Sequence, residues 1–387
     1  MITSPQCCHG VGNVGYDRQR QNIRMSLGVR NLALTLLFIL AATLAPDMTN
    51  SQMTRTESTP PLPEAVTNNA VVSVKAQDRE FVISFAGLGV GKSHADTHAK
   101  TFVLDSADMQ WREASPVPGG VGRLAATAVA AGERAYVFGG YTVAEDGSEV
   151  STRWVHAFDP LSGKFEERRS MPIPVDDAMA VSYEDRYIYL ISGWHDFGNV
   201  NLVQRYDVAN DTWAQATPTP GRAVFGHAGG IVGNTIVYCD GVAIEPYVDR
   251  RRIFVANGEC YKGMIDKEES RRIDWRKIGQ HPGKPRYRMA AAGITDQNGV
   301  MFIGGSENPY NYDGIGYDGK ASSPAADALL FSLETNSWQE IGVDGPATMD
   351  HRGVVSFQDG WLIVGGMLDG QQVTDRVTSF ALEAAGD

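Results

Sequence analysis

The sequence predicts an all-β fold, a six-bladed β-propeller, because one short pattern recurs six times along the chain. In each copy an apolar, β-type stretch runs directly into one or two glycines. The first glycines of the six copies are Gly87, Gly139, Gly193, Gly241, Gly304 and Gly365. The copies are therefore 52, 54, 48, 63 and 61 residues apart, a spacing typical of propellers and repeat arrays. The 42 glycines also suit a loop-rich all-β chain.

Three further strands are predicted around each strand that ends in glycine. Before it lies a strand rich in small residues, such as Leu124–Ala130, which suits the crowded position beside a propeller axis. After it come a variable loop, a third strand such as Val155–Asp159, and a turn. An aromatic residue then opens a fourth strand, where its large area can fill the wedge between blades. These aromatic residues are Trp111, Phe165, Trp213, Trp275 and Trp338.

The sixth blade lacks a fourth strand at the C-terminal end of the sequence. Three strands are predicted there, at Gly353–Phe357, Trp361–Gly366 and Val377–Leu382. Near the other end, Pro60–Pro63 matches the proline-rich segments that follow the fourth strands of other blades. We therefore expect Met53–Thr59 to close the ring as the outer strand of blade six. Closure would remove the exposed sheet edges of an open array.

The N-terminal part of the chain is organised differently. We expect residues 1–49 to be an extension with a signal peptide or anchor, and residues 50–387 to form the propeller. Arg24 and Arg30 precede the apolar run Leu32–Ala45, and polar residues follow, as in a secretory signal peptide. The run is short for a bilayer span, and an uncleaved anchor is the alternative. The expected location is periplasmic or secreted, with membrane contact only through an uncleaved leader.

The cysteines bear on the same question of location. Cys7 and Cys8 precede the apolar run and would be lost on cleavage, whereas Cys239 and Cys260 would remain. In an oxidising compartment the second two can form a disulfide. Two buried thiols are the alternative, because the sequence does not give the geometry that a disulfide needs.

Charge argues against two classes of partner. With four Arg and one Asp in residues 1–46, the rest of the chain has 30 basic and 45 acidic residues, a net charge of −15. Nucleic-acid binding depends on Lys and Arg meeting phosphate, so we expect no nucleic acid partner. An anionic membrane surface is disfavoured for the same reason. No cofactor and no metal are expected, because the common zinc, redox and nucleophile motifs are absent from the sequence.

Propeller topology identifies one face as the place for a ligand. The residues that enter the first strand of a blade and those that follow its glycines lie on the same face, which we call the loop face. Every blade supplies a charged or amide side chain there, as expected around a small-molecule site, for example for a sugar or glycan. Alternatively these groups only satisfy one another around the axis. The candidate ligand-binding residues are Asn69, Arg123, Asp177, Trp194, His195, Arg222, His227, Arg288, Glu307 and Arg352.

Three consecutive ionisable residues, Asp350, His351 and Arg352, lie just before the first strand of blade six. A His beside an Asp can act as a general acid or base, so both are catalytic candidates. The alternative for His351 is a paired, structural side chain. Arg352, with Arg123 and Arg288, could hold a sugar carboxylate through bidentate hydrogen bonds.

The loop after the fifth glycine step, Ser306–Lys320, is long enough to suggest a function. Its residues Tyr310, Tyr312 and Tyr317 offer flat faces for sugar rings, and nearby Asn and Asp residues offer oxygens to hydroxyl groups. A calcium site is a weak alternative, because the spacing is not that of an EF-hand. An ordered lid packed by its own tyrosines is another.

The paired glycines followed by aromatic strands resemble the kelch motif over roughly residues 60–387, which implies six four-stranded blades. Within kelch proteins the chain resembles the exported bacterial N-acetylneuraminate epimerases, or sialic acid mutarotases. The resemblance is carried by Trp111–Gly140, Pro61–Val72 and Leu362–Val377.

In that group a Glu directly follows the glycine of blade four, with an Arg six residues later, as the acid/base and anion-binding pair. Here Val242 follows Gly241, and the nearest pair with the same spacing is Glu245 and Arg251, three positions further on. The resemblance implies a sugar isomerase in which Glu245 carries a proton and Arg251 binds the ligand.

Two functions follow from these patterns. The first is a carbohydrate-binding or carbohydrate-isomerising protein of mutarotase type, with Glu245, Asp350 and His351 as proton carriers. The second is a non-catalytic module that contacts a protein or a polysaccharide. A catalytic site needs an acid and a base across a closed pocket, whereas a binding module would present a broad, shallow aromatic surface.

Overall fold

The computed structural model describes residues 52–55, 59–246 and 252–382. These residues belong to one unit, Met48–Asp387, and the predicted leader lies outside them. They form β-strands and loops, with two short 3-10 helices at His94–Asp96 and Asp369–Gln371. Within the described ranges, no helix is long and apolar enough to cross a membrane.

Blades one to five each contain four antiparallel strands, which follow one another from the innermost outward. Blade one contains Ala70–Ala76, Arg79–Leu88, Thr97–Asp105 and Gln110–Ala114. Blade two contains Leu124–Ala131, Arg134–Val143, Val155–Asp159 and Lys164–Arg168. Blade three contains Met179–Tyr183, Tyr187–Ile191, Val203–Asp207 and Thr212–Gln215. Blade four contains Ala228–Val232, Thr235–Cys239, Cys260–Ile265 and Ile273–Ile278. Blade five contains Ala290–Ile294, Gly299–Ile303, Ala328–Ser332 and Ser337–Val343.

The sixth blade is completed by the N-terminal strand, as the sequence predicts. Its strands are Val355–Phe357, Gly360–Val364, Val377–Leu382 and, outermost, Gln52–Arg55. The closing strand pairs antiparallel with Val377–Leu382, where Met53 lies opposite Leu382. It also pairs parallel with the outer strand of blade five, so it joins the two blades into one sheet. The predicted closing strand, Met53–Thr59, is therefore confirmed in its first part, and residues 56–58 lie outside the described residues.

Short strands decorate the loop face after the glycine steps. In blade two, Glu149–Ser151 pairs with the extended second strand. Blades three, four and six carry small hairpins instead. In that order, they are formed by Trp194–His195 with Gly198–Asn199, Val242–Glu245 with Ile253–Ala256, and Met367–Leu368 with Gln372–Val373.

The recurring glycines are explained by contacts between blades. Gly139 has a φ of 54°, and a Cβ built there would lie 2.3 Å from the carbonyl oxygen of Val175 in the next blade. Gly304 meets Thr348 in the same way at 2.3 Å, and Gly365 meets Val66 at 2.4 Å across the closure of the ring. Only glycine combines this backbone conformation with so close an approach.

The aromatic residues that open the fourth strands link neighbouring blades. Each of four tryptophan indoles donates a hydrogen bond of 2.8–3.1 Å to a carbonyl in the segment that leaves the preceding blade. These pairs are Trp111 with Pro60, Trp213 with Arg169, Trp275 with Thr217 and Trp338 with Gly279. The rings also pack on core aromatics, as Trp213 does on Tyr206 at a centroid distance of 4.9 Å.

The two cysteines of the propeller are joined. Cys239 and Cys260 lie directly opposite each other on the second and third strands of blade four, and they form a buried disulfide with a Cα–Cα distance of 4.2 Å. Of the two alternatives that the sequence leaves open, the structure has the disulfide.

Candidate functional site

Six residues, one from each blade, surround the axis at the loop face, and we call them the axial ring. Each lies near the start of the first strand of its blade and adopts a left-handed backbone conformation, with φ between 49° and 71°. They are Asn68, Ala125, Asp177, Gly226, Arg288 and Asp350. Backbone hydrogen bonds run around the ring, since Asp177 donates to Ala125 at 3.0 Å, Gly226 to Asp177 at 2.9 Å and Arg288 to Gly226 at 2.8 Å. The shared backbone geometry therefore brings one residue per blade to the axis.

The axial ring holds a buried ion network. Arg288 contacts Asp177 at 2.5 Å and Asp350 at 2.7 Å, and Arg352 contacts Asp177 at 3.0 Å. Thr67 and Asn68 donate to the Asp350 carboxylate at 2.7 and 3.2 Å. Two arginines thus neutralise two aspartates away from water, which is how buried charges are tolerated.

The network sets the protonation state of Asp177. Burial alone would raise the pKa of this carboxyl group, but Arg288 and Arg352 outweigh burial and lower that pKa. The hydroxyl of Tyr287 also donates to Asp177, at 3.0 Å. Asp177 is therefore ionised at neutral pH, in its pair with the arginines.

A pocket of about 220 Å³ opens above the axial ring on the loop face. It is lined by residues from blades two to five, so it lies to one side of the axis. The lining residues are Tyr141, Glu149, Asp176, Asp177, Trp194, Phe225, Phe254, Tyr287, Arg288, Tyr310, Asn311, Tyr312 and Tyr317.

Residues of the pocket wall occupy equivalent positions in successive blades. The residue before each axial-ring member pairs, by a β-bridge, with the first residues after the glycine step of the same blade. Asp176 pairs in this way with Trp194, and Phe225 pairs with Val242. Tyr287 holds the same repeat position in blade five. These bridges fix the side chains of the pocket wall relative to its floor.

Aromatic rings form a continuous surface along the pocket. Trp194 packs on Phe225 and Phe254 at centroid distances of 5.4 and 5.8 Å. Phe254 in turn stacks on Tyr317 at 4.3 Å with 25° between the ring planes. Such a surface suits the flat, apolar face of a sugar or another small ring.

Asp176 is the buried acid of the pocket. Its carboxylate accepts a hydrogen bond of 2.6 Å from the hydroxyl of Ser151. Burial raises the pKa of Asp176 well above its usual value, and the neighbouring carboxylates of Asp177 and Glu149 raise it further. Adjacent residues of one loop therefore supply a carboxyl group that favours its proton and a carboxylate that does not.

The long loop between the second and third strands of blade five is ordered and lies against the pocket. The amide of Asn311 donates to Ile315 at 2.8 Å, and that of Tyr317 donates to Pro309 at 3.0 Å. The loop reaches blade six, where the side chain of Gln371 donates to the carbonyl of Ser322 at 2.6 Å. Within the described residues, no group of three or more metal-ligating side chains is found, here or elsewhere. The loop is held by these hydrogen bonds, and its tyrosines Tyr310, Tyr312 and Tyr317 line the pocket.

Several residues predicted from the sequence meet at this site. Six of them line the pocket, namely Asp177, Trp194, Arg288, Tyr310, Tyr312 and Tyr317. Asp350 and Arg352 lie behind it in the ion network, each with a side chain no more than 4 % exposed. The two arginines predicted to hold a sugar carboxylate here, Arg288 and Arg352, instead contact carboxylates of the protein.

Other candidates are structural. The guanidinium of Arg123 is buried and donates to the carbonyl of Gly139 at 3.0 Å. Asn69 is buried and donates to the hydroxyl of Ser84 at 2.8 Å. His351 is buried beside Thr348, with 2.8 Å between the imidazole and the hydroxyl, and burial lowers its pKa to about 4. It is the structural alternative that holds for His351, which does not line the pocket.

Further candidates lie at the rim of the loop face. Glu245 is exposed and pairs with Arg222 at 3.3 Å, and Glu307 is exposed and pairs with Lys284 at 2.7 Å. His195 lies in the hairpin of blade three but does not line the pocket. Arg251 lies outside the described residues. The expected proton carrier, Glu245, is thus turned towards solvent by its hairpin.

His227 lines a second cavity, of about 300 Å³, that runs among the innermost strands below the axial ring. Burial lowers its pKa to about 4, so the imidazole is neutral at physiological pH. Its ring lies edge-on to Tyr238 at a centroid distance of 5.5 Å. Asp177 and Arg352 lie at the boundary of this cavity, so the ion network separates it from the pocket above.

The main residues that the sequence analysis missed are Glu149, Phe225, Phe254 and Tyr287. Phe225 and Tyr287 hold the same position in the repeat as Asp176, and alignment of the six copies would have found them. Glu149 and Phe254 lie in loop-face strands whose hairpins differ in length, so no fixed position in the repeat identifies these two residues.

Comparison with known proteins agrees with this architecture. The family model described as "Kelch motif" matches residues 122–172, which span blade two and its flanks. The chain is 22 % identical to Kelch-like protein 15 of Danio rerio over 246 residues, and 28 % identical to Beta-scruin of Limulus polyphemus over 114 residues. These matches span 39 % and 12 % of the two relatives and 64 % and 29 % of this chain.

Among solved structures, that of YjhT is similar with a TM-score of 0.66 and 15 % identity, over 84 % of this chain and 99 % of that one. At this identity the likeness concerns the fold. The chain is therefore an all-β, six-bladed β-propeller of kelch type that carries a kelch motif.

Proposed function

We propose that this propeller binds a sugar, or a similarly small polar ligand, in the loop-face pocket. The observation that carries the proposal is the combination of stacked aromatic rings with buried carboxyl and hydroxyl groups in one concave site. Rings of this kind cover the apolar face of a sugar, and carboxylates accept hydrogen bonds from its hydroxyl groups. The volume of about 220 Å³ is small for a ligand pocket and favours a single ring over a polymer.

A mutarotase or epimerase activity is the finer proposal, of the kind that the resemblance to the N-acetylneuraminate epimerases implies. Opening and closing a sugar ring needs one acid and one base at the anomeric centre. Asp176, which favours its proton, can donate to the ring oxygen, and Asp177 or Glu149 can accept the proton of the anomeric hydroxyl. These residues replace Glu245, Asp350 and His351 as the proposed proton carriers.

A protein-contact function is the second candidate, and exposed apolar side chains near the pocket favour it. Phe197 is 80 % exposed and Val150 is 54 % exposed. Their hairpins are held together by a hydrogen bond of 2.7 Å from the amide of Ser151 to Asp196. Exposed apolar groups that are clustered in this way mark contact surfaces for other molecules.

We also propose that the protein is exported to the periplasm or beyond. The leader pattern supports this proposal, and so does the disulfide in blade four, since disulfides persist in oxidising compartments.

The test of the enzyme proposal is NMR exchange spectroscopy on a panel of reducing sugars that includes N-acetylneuraminate. We expect the wild-type protein to accelerate anomer exchange. The acceleration should be lost in Asp176→Asn and kept in Glu245→Gln. Line broadening without accelerated exchange would indicate that the protein binds the sugar but does not catalyse its anomer exchange. If the panel shows neither effect, the sugar proposals fail and the protein-contact candidate replaces them.

A further inference from the structure

The pocket has more acidic groups than cations. Of its charged lining residues, Glu149, Asp176 and Asp177 are acidic and Arg288 is basic. Asp177 is matched by Arg288 and by Arg352 beneath it. Among the residues that the structure describes, neither Asp176 nor Glu149 has an ion-pair partner. These two acidic groups are therefore not matched by a cation of the pocket.

Tyr310 gives an independent sign that the pocket suits a polar ligand. This residue is 0 % exposed and lines the pocket, and its hydroxyl has no hydrogen-bond partner in the described part of the chain. A buried hydroxyl without a partner is unfavourable, so such a group in a cavity wall is suited to a polar ligand.

The aromatic walls already attract cations. The guanidinium of Arg288 lies 4.6 Å from the ring centroid of Tyr287 and 5.5 Å from that of Tyr310. The guanidinium of Arg252 lies 5.6 Å from the ring centroid of Trp194. Aromatic faces stabilise positive charge through their quadrupole, most strongly where water is excluded.

We propose that the pocket selects a ligand that carries an ammonium group, such as an amino sugar, over its neutral or acidic counterpart. This inference rests on the proposed function and adds the charge of the ligand. The ammonium group lies between Asp176 and Glu149, and the ring of the ligand lies against the aromatic wall. Among the described residues that line the pocket, the cation is Arg288, which is already paired with Asp177 and Asp350 and so is not free for a ligand carboxylate.

Binding of such a ligand is linked to protons. Burial raises the pKa of Asp176, and partial desolvation at the mouth of the pocket raises the pKa of Glu149. The groups that face Asp176 are Ser151, Tyr141 and Glu149 from blade two, Arg288 from blade five and its neighbour Asp177. An ammonium group favours the ionised carboxylates, so binding releases protons, and affinity rises as the pH rises through these pKa values.

The experiment is isothermal titration calorimetry with matched pairs of probes: glucosamine with glucose, galactosamine with galactose, and mannosamine with mannose. Glucuronate serves as the acidic probe. At least one hexosamine should bind about tenfold more tightly than its hexose, as expected for a cation held by aromatic and carboxyl groups. Titration in buffers of different ionisation enthalpy should show proton release, and affinity should fall as the pH is lowered.

Two variants and one control locate the charge. Asp176→Asn and Glu149→Gln should each reduce the preference for the amino sugar over its neutral partner, measured as the ratio of the two affinities in the same variant. Glu245→Gln is the matched control, because Glu245 is an exposed carboxylate of the same face outside the pocket. Since Glu149 lies at the exposed mouth of the pocket, its substitution tests the inference even if Asp176→Asn fails to fold.

The outcomes separate this inference from the proposed function. If hexoses bind as tightly as hexosamines, or if glucuronate binds more tightly, the inference is wrong and the sugar pocket stands. If no probe binds, both are wrong for ligands of this size. Equal loss of preference in Glu245→Gln would place the charge selection outside the pocket and would also overturn the inference.

Discussion

Replacement of Arg288 by Met should destabilise the propeller strongly at neutral pH. The guanidinium is buried and is shared by Asp177 and Asp350, at 2.5 and 2.7 Å. Met keeps the Cβ and an unbranched stem, so the strain of the backbone φ of 55° is unchanged. The substitution therefore removes the charge and the hydrogen bonds of Arg288 without changing the backbone conformation that the position requires.

The magnitude follows from which carboxylate loses its partner. Asp177 keeps Arg352, whereas Asp350 keeps only hydrogen bonds from Thr67 and Asn68 among the described residues. Removal of one member of a buried ion pair costs about 3–5 kcal/mol, because a buried charge is left uncompensated. We expect a loss of about 4 kcal/mol, a large share of the roughly 5–15 kcal/mol of a typical protein.

The loss should depend on pH in a defined direction. The pKa of Asp177 is lowered in the folded protein, so its stabilising effect is present above the pKa of the unfolded chain and is lost as the pH falls through the folded value. The difference between wild type and variant should therefore shrink as the pH falls below about 4, the usual pKa of an Asp carboxyl group.

The assay is urea unfolding followed by tryptophan fluorescence, at neutral and at acidic pH. Arg288→Met combined with Asp350→Asn should recover part of the stability, since it removes the unpaired charge as well. A variant that unfolds within about 1 kcal/mol of wild type at neutral pH would refute this account of the network. A deficit that does not change with pH would refute its electrostatic origin.

Three further changes test the fold. Gly139→Ala should destabilise the protein more than Gly132→Ala in thermal unfolding. Both glycines have a positive φ, but only at Gly139 would a Cβ meet neighbouring atoms within 4 Å. Equal effects would contradict the close approach between blades. Replacement of both Cys239 and Cys260 by Ser should lower the unfolding free energy by about 2–4 kcal/mol in urea, and an unchanged midpoint would show that the bridge is dispensable. Met53→Ala should cost about 2–5 kcal/mol, since Met53 is 0 % exposed in the closing strand, and wild-type stability together with a wild-type elution volume would argue against ring closure.

The blade count and ring closure could be predicted because they depend on local patterns. Gly139, Gly304 and Gly365 are needed where their blades meet the backbone of the next, so the sequence marks three of the six junctions with a glycine pair. The closing strand could be placed from the missing fourth strand of blade six, although its parallel pairing with blade five has no counterpart in a single blade.

The site was harder to predict because its parts are distant in sequence. Arg288 and Asp177 are 111 residues apart, so nothing local indicates that each neutralises the other. The aromatic residues Phe225 and Phe254 look like ordinary core residues until the fold places them against a cavity. Glu245 was a candidate by its spacing, but its hairpin directs it to solvent while Phe254, opposite its neighbour Ile244, reaches the pocket.

The central claim is that the loop-face pocket is the ligand site, and saturation-transfer NMR with the panel of sugars and amino sugars tests it most directly. The wild-type protein and Glu245→Ala should both transfer magnetisation to at least one probe, and Trp194→Ala should not, because Trp194 forms the aromatic wall. Transfer that survives in Trp194→Ala and disappears in Glu245→Ala would place the ligand at the rim and would contradict the account.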